Sequence, residues 1–486
     1  MATKSTQNKI ILQNFASMYP EIPQYSVKNQ HYLLGNVDPF YYLYSQDSQI
    51  HEKQYAPLVA AKQVTTVQTG LDVSNYGDGV IALIQDITNY NTLYLTTDNQ
   101  HTYAWRSGYL TDLGKPSGAT GSNTMAALAI YNGNLIATYG NNTTTGYRNP
   151  ISGLMSSSTW VSISGVLRGW LVPFLQYCFS GASDVSQINR MNSSWVSGSI
   201  LDLGGSWGIP KAVNWNNKYL AFVGQQNQNN NNTNYLFLWD GISKTYNYST
   251  IIPGTYRDIL AHSDGNLYVA VSNGGIQQLL VLSGFKLKPV FDFPLYENVN
   301  NFYWKGTISK MFSFGKYIGI LFQSGGKDQY SFILLYDPVK KSKYIIYSHA
   351  YSTIADNLTN ALGISHNMYI ALADGNLYNY SIYNNSYAPI NYVSQNIPLN
   401  GTIDSVEVYY DSPPTGSATI NVSIVSSDED TGDTTTNLSQ ITSSNYLNKN
   451  KTILDAGIKC NWFKLILYTF NFSKIRKIVV NYTSFI

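Results

Sequence analysis

The chain has 486 residues, 30 basic and 28 acidic, with a formal net charge of +2. That balance excludes a strongly basic nucleic-acid binder or a polyacidic tail as the main theme. Only 12% of residues are charged and five are Glu, against 41 Tyr, 37 Gly and 49 Asn. Exposed helices draw on Glu and Lys, strands on Tyr, Thr, Val and Ile, and turns on Asn, Gly and Ser, so the composition points to an all-β protein.

The first nine residues carry no apolar core and read as no export signal. Residues 1–55 hold apolar clusters without sustained periodicity, at Ile10-Ile-Leu12, Phe15, Tyr25 and Leu33 to Tyr44, and Pro20, Pro23 and Pro39 oppose a helix. This predicts an extended N-terminal arm that buries itself either on its own propeller, for example as a closing outer strand, or on a neighbouring subunit. The longest apolar stretch, Leu171 to Phe179, is broken by Pro173 and Gln176 and is far short of the roughly 20 residues of a membrane helix.

From about residue 56 to 396 a unit recurs. Its first half is a turn and a short apolar strand: Asp78-Gly-Val-Ile-Ala-Leu83, Asn132-Gly-Asn-Leu-Ile-Ala137, Asn216 to Phe222, Asp264-Gly-Asn-Leu-Tyr-Val269, Gly315 to Ile320 and His366 to Ala371, with a weak copy at Pro173 to Tyr177. Asn-Gly and Asp-Gly suit hairpin turns whose central residues need positive φ. Its second half is a strand ending in an aromatic and a polar turn residue. Tyr235-Leu-Phe-Leu-Trp239-Asp240 matches Phe332-Ile-Leu-Leu-Tyr336-Asp337 position by position, with looser copies at Leu279 to Ser283 and Tyr380 to Asn384, and earlier ones centred on Trp105, Met155 to Trp160 and Met191 to Trp195. Copies lie about 36 to 54 residues apart, the length of a four-stranded blade. The reading is a divergent β-propeller of about seven blades, with six as the alternative, rather than a large sandwich. The Gln/Asn tract from Gln225 to Asn234 reads as a long solvated hairpin loop.

Residues 397–486 change character. Ile403 to Tyr410 and Ala418 to Ile424 alternate apolar and polar residues, and Trp462 to Phe470 and Lys474 to Tyr482 add further strands. This predicts a small β-sandwich, with Ser426 to Asn450 as a polar loop. Within it Asp428-Glu-Asp430-Thr-Gly-Asp433 misses the spacing of a calcium loop and reads as a solvated turn, with Ca²⁺ binding left open.

The chemistry-bearing residues form no recognisable site, so no catalytic, cofactor-binding or metal residues are assigned and no cofactor is expected. His31, His51, His101, His262, His349 and His366 stand in no metal spacing, and neither a GxSxG elbow nor a P-loop is present. Cys178 and Cys460 are too far apart in sequence for a disulfide framework or metal knuckle. Of the five Glu only Glu297 falls in the propeller, which disfavours a two-carboxylate glycosidase. Lys340-Lys-Ser-Lys343 reads as a solvated hairpin, and Lys474, Arg476 and Lys477 as edge-protecting charges. About fourteen N-x-S/T sequons follow from the abundance of Asn, Ser and Thr.

The order of arm, propeller and sandwich resembles structural proteins of tailed-bacteriophage virions. The resemblance is carried by Gly35-Asn-Val-Asp-Pro-Phe40, Ile403-Asp-Ser-Val-Glu-Val-Tyr-Tyr-Asp-Ser-Pro-Pro-Thr-Gly416 and Ile475-Arg-Lys-Ile-Val-Val-Asn-Tyr-Thr483, well under a fifth of the chain. It implies a non-enzymatic tail or neck protein, made in the host cytoplasm, assembling in several copies with itself and other virion proteins. Two other readings stand beside it. One is a carbohydrate- or receptor-binding propeller for host attachment, in which Trp105, Trp160, Trp195 and Trp239 stack on sugars unless they are core. The other is a glycoside-processing enzyme.

Overall fold

The structure is a computed structural model. It describes residues 7–12, 31–35 and 58–484, apart from 74–78, 87–91, 107, 118, 120–125, 140–144, 154, 229–230, 294–297, 300–301, 327–328, 352, 354–356, 385, 429–431, 447–449 and 473. Most of the expected arm, His51, Glu297 and the centre of the acidic cluster Asp428–Asp433 therefore lie outside the described residues.

Short apolar strands separated by Gly, Asn and Asp turns build seven antiparallel four-stranded blades. Their strands span 80–114 (blade 1), 126–164 (blade 2), 170–202 (blade 3), 207–252 (blade 4), 255–293 (blade 5) and 307–351 (blade 6). Blade 7 takes three strands from 358–381 and its outermost strand, Thr65–Gln68, from the other end of the chain. The first strands pack side by side around the ring, and that of blade 7 lies against that of blade 1. Seven blades close the circle, and the strand from residues 65–68 clasps it.

The repeats seen in sequence mostly mark the second and third strands. Asn134–Tyr139, Leu267–Asn273, Tyr317–Gln323 and Asn367–Leu372 are second strands, and Asn231–Trp239, Ile276–Ser283 and Gln329–Asp337 are third strands. Two readings need correction. Asp78 to Leu83 leads into the first strand of blade 1, whose second strand is Thr92–Thr97. Met155 to Trp160 is a connection with one turn of 3-10 helix after the third strand of blade 2. The Gln/Asn tract is not an open loop: strands pair through it from Gln225 opposite Asn234 to Gln228 opposite Asn231.

The C-terminal residues form one bent sheet, in the order Gly432–Asn437, Thr419–Asp428, Lys451–Phe470, Ile397–Tyr410, Lys474–Ser484 and Gln7–Leu12. Lys451–Phe470 pairs with Ile397–Tyr410 along its first half and with Thr419–Asp428 along its second. Its two arms share one core, with Val406, Val408, Ile420, Ile424, Leu465 and Ile478 fully buried. The alternation read in sequence is the inside and outside of this small sandwich. Ser426 to Asn450 is not simply a loop: Gly432–Asn437 pairs with Ser423 to Asp428, and Ile441, fully buried, bridges to Ile420.

The described part of the arm lies on its own chain, and one of its two strands reaches the propeller. Gln7–Leu12 is an edge strand on Lys474–Ser484 of its own C-terminal sheet. His31–Gly35 lies between Asn391–Ser394 and the outer strand of blade 6, so that blade 6 and the sandwich are one continuous sheet.

Candidate functional site

The blades' first strands line the central channel. In five of them the register with the second strand shifts near the start, between Val80 and Ala82, Gly208 and Lys211, Tyr256 and Asp258, Ile308 and Lys310, and Leu358 and Asn360. A bulge leaves residues unmatched and re-aims the side chain that follows. In blades 4 to 7 that side chain is polar, and each reaches the next blade in the same rotational sense. Lys211 pairs with one carboxylate oxygen of Asp258. The other oxygen accepts the backbone N–H of Met311 at 2.6 Å. Lys310 donates to the side-chain oxygen of Asn360, and Asn360 Nδ2 donates to the carbonyls of Ile81 (2.7 Å) and Val80 (3.3 Å).

The other three junctions are crossed at the same end of the channel by different residues. Trp170 Nε1 donates to the Ile209 carbonyl at 2.8 Å, joining blades 3 and 4. Thr138 Oγ1 donates to the Arg168 carbonyl at 2.9 Å, joining blades 2 and 3. The Thr102 and Tyr139 hydroxyls meet at 2.6 Å between blades 1 and 2. All seven junctions thus carry a side-chain hydrogen bond at the end of the propeller where the first strands begin, five of them from first-strand residues and two from the second and third strands of blades 1 and 2. At blade 4 the approach is close enough to demand glycine: a Cβ on Gly208 would lie 1.8 Å from the Ser183 carbonyl oxygen.

The charges of this belt are tightly coupled. Asp258 is buried. Burial, then the Lys211 ammonium, lower Lys310 from its ordinary 10.5 to about 7, with Asp258 opposing. Burial beside Asp258 pushes the Tyr256 hydroxyl well up, so it stays neutral. A lysine poised near neutrality is the kind of group that serves as a base or nucleophile. Here its hydrogen-bond partner is an amide oxygen, and the adjacent carboxylate is engaged by Lys211 and Met311. The groups tie strands together instead of converging on open space.

The residues singled out from sequence are dispersed. His262 bridges blades 5 and 6 through Ser313 Oγ (3.0 Å) and the Lys316 carbonyl (3.2 Å). His101 lies between Asp72 and Asp112 at 3.1 and 3.5 Å, and His366 contacts Ser365. Both cysteines are buried and neither is in a disulfide. Among the described residues no group of three or more His, Cys, Asp or Glu could hold a metal ion. The four tryptophans are not equivalent. Trp239 is fully buried and donates to the Ser243 carbonyl. Trp105 packs edge-on to Tyr369, Trp160 donates to the Leu113 carbonyl, and Trp195, at φ 64°, lies under the Arg148 guanidinium. Lys340 and Lys341 are exposed as expected, but Lys343 is buried over the Phe291 ring. Lys474 and Arg476 both pair with Asp411.

Sequence reasoning missed the belt. A signal was present: Lys211-Ala-Val, Asp258-Ile-Leu, Lys310-Met-Phe and Asn360-Ala-Leu repeat one polar residue before two apolar ones at near-blade spacing.

No protein-family model and no curated protein matches the chain. Solved structures similar in chain path include hydrazine synthase of Kuenenia stuttgartiensis (12% identity, 65% of this chain and 98% of that one, TM-score 0.49). Others are virginiamycin B lyase of Staphylococcus aureus (11%, 66% and 99%, TM-score 0.47) and the β-propeller domain of Myceliophteria thermophila Cps50 (Swd1) (10%, 66% and 99%, TM-score 0.48). All are too distant to carry an argument about this chain.

Proposed function

We propose that this chain is a non-enzymatic structural component of a tailed-phage virion, placed in the tail or neck and assembling in several copies. The observation that carries the structural half of this reading is the belt. Every blade junction carries a side-chain hydrogen bond at the same end of the propeller, and a propeller closed in this way is a rigid ring without long exposed edges. The sandwich shares a sheet with blade 6, which suits a body that transmits load between neighbours. The virion context rests on the resemblance at residues 35–40, 403–416 and 475–483. The test is cryo-electron microscopy, with mass spectrometry, of particles purified from the source. Copies arranged about the tail axis are the expected result. Particles that lack the chain while the lysate contains it free would overturn the reading.

A further inference from the structure

The first strand of every blade starts at the same end of the channel, so the segments leaving the third strands emerge on one face, opposite the belt; in blades 1 to 6 they are the third-to-fourth connections, and in blade 7, whose fourth strand is Thr65–Gln68, the segment after Ser381. Eight of the fifteen exposed large apolar side chains among the described residues lie in these connections or at the first residue after them, and every blade supplies at least one. Tyr109, Val196, Ile242, Phe285, Val339 and Tyr383 are each 50–83% exposed, and Val161 completes the ring in blade 2. Single exposed apolar residues are ordinary on a protein surface. At least one in every blade, each on or just after the segment leaving the third strand, is a pattern.

The turns are built to present them. In blades 4 to 7 a polar residue ends or directly follows the third strand and the apolar residue comes two positions later: Asp240 and Ile242, Ser283 and Phe285, Asp337 and Val339, Ser381 and Tyr383. Asp240 accepts the N–H of Ile242 at 2.9 Å, and Asp337 those of Val339 and Lys340 at 3.0 Å. Tyr248 donates its hydroxyl to the Phe285 carbonyl. This is the aromatic-polar repeat of the sequence, and its product is an outward apolar tip.

The charge on this face is predominantly basic. In the outer connections the exposed charged side chains among the described residues are Arg106, Lys244, Lys286, Lys340 and Lys341, and Asp240 and Asp337 are turned onto their own backbone N–H groups; the first-to-second-strand turns on the same face add Lys218, Lys316 and one exposed acid, Asp264. On the other end of the propeller the exposed charges include Asp72, Asp184 and Asp202. Protein-binding surfaces are depleted in Lys and continuous in their apolar core. Separate apolar tips interleaved with lysines suit a flat, deformable, anionic surface, into whose interfacial zone aromatic and aliphatic side chains insert while ammonium groups meet phosphates.

We propose that this face docks on an anionic lipid bilayer surface. The proposal does not depend on the virion reading. The test is co-sedimentation of the full chain with phosphatidylcholine vesicles, with and without about a third phosphatidylserine, at low and high salt. Two variants are compared: Lys244→Gln/Lys286→Gln/Lys340→Gln/Lys341→Gln, and Ile242→Ser/Phe285→Ser/Val339→Ser/Tyr383→Ser. All eight positions are exposed, and overlaid thermal melts confirm folding. The wild type is expected to bind the anionic vesicles and to release at high salt. Each lysine near such a surface contributes roughly fivefold, so the first variant should lose on the order of a hundredfold or more. The second should lose at least about tenfold, because apolar insertion acts with the charge. Equal binding to neutral vesicles, or no binding, overturns the proposal. So does an apolar variant that binds like wild type, which would leave a general polyanion site. Self-association of the wild type that is lost in the apolar variant, without vesicle binding, would assign the face to a second copy instead.

Discussion

Removing the Asp258 carboxylate should loosen the ring at one place in a measurable way. In Asp258→Ala the backbone N–H of Met311 loses its partner at 2.6 Å; a buried unsatisfied donor costs about 1–3 kcal/mol. Lys211 loses its counter-charge as well, but its side chain is 31% exposed and water can recover part of that loss, adding about 1 kcal/mol. The sum is about 2–4 kcal/mol. Lys211→Met should cost a similar amount by the converse route, leaving a 3%-exposed carboxylate without its cation. Because both remove one interaction, the double variant should cost less than the sum, with a coupling of about 1–3 kcal/mol. Global unfolding of a chain this long need not be two-state, so the assay is amide hydrogen exchange resolved to the peptide holding Met311. A loss of about 3 kcal/mol in local opening speeds that exchange roughly a hundredfold where exchange follows the opening equilibrium. Unchanged protection at Met311 in Asp258→Ala, or strict additivity of the two substitutions, would refute the account of the belt.

Three further perturbations follow from the same geometry. Gly208→Ala drives a methyl to 1.8 Å from the Ser183 carbonyl and should cost about 3 kcal/mol or more, read as loss of soluble folded protein or a lower thermal midpoint; a wild-type melt would contradict the close approach of blades 3 and 4. The Tyr409 hydroxyl, against burial and with help from Asn481 and Lys451, holds Glu407 from its ordinary 4.5 down to about 2. Its contribution to stability is therefore full above about 4.5 and lost as the pH falls through 2, and acid titration of Glu407→Gln should show a flatter limb across that window. Lys310 has the opposite linkage: lowered from 10.5 to about 7, it binds less proton in the folded state between those values, so stability rises with pH across the window. Lys310→Met should abolish that rise, and an unchanged slope in denaturant midpoint against pH would show that the amine is not held this way.

The second and third strands were legible because they are buried on both faces and so read as apolar runs between turn residues. Leu220 to Val223 and Phe332 to Leu335 are fully buried, and no loop requirement competes with that signal. The outermost strands were not legible, since half their residues face water: Tyr109–Gly114 has one buried residue. The closing strand Thr65–Gln68 has none, and only pairing with Leu377–Ser381 makes it a strand. Long-range pairing also decided the fate of Gln7–Leu12, whose apolar residues announce burial without naming the surface.

The belt escaped for a related reason. A bulge changes where Lys211, Asp258, Lys310 and Asn360 point without changing the hydrophobic pattern around them. In sequence they look like polar residues at the start of a strand, where solvent exposure is the ordinary expectation. Their partners lie 47 to 53 residues away for the first three and 279 and 280 residues away for Asn360, where the ring closes. The apolar tips are the reverse case. The aromatic-polar motif was seen as a repeat, and its strand is indeed core, but the functional information sits two residues further on, in side chains that differ from blade to blade. Ile242, Phe285, Val339 and Tyr383 share no residue type; they share a turn. Physical equivalence in this protein is set by backbone position, and it becomes visible when the blades are compared by register instead of by letters.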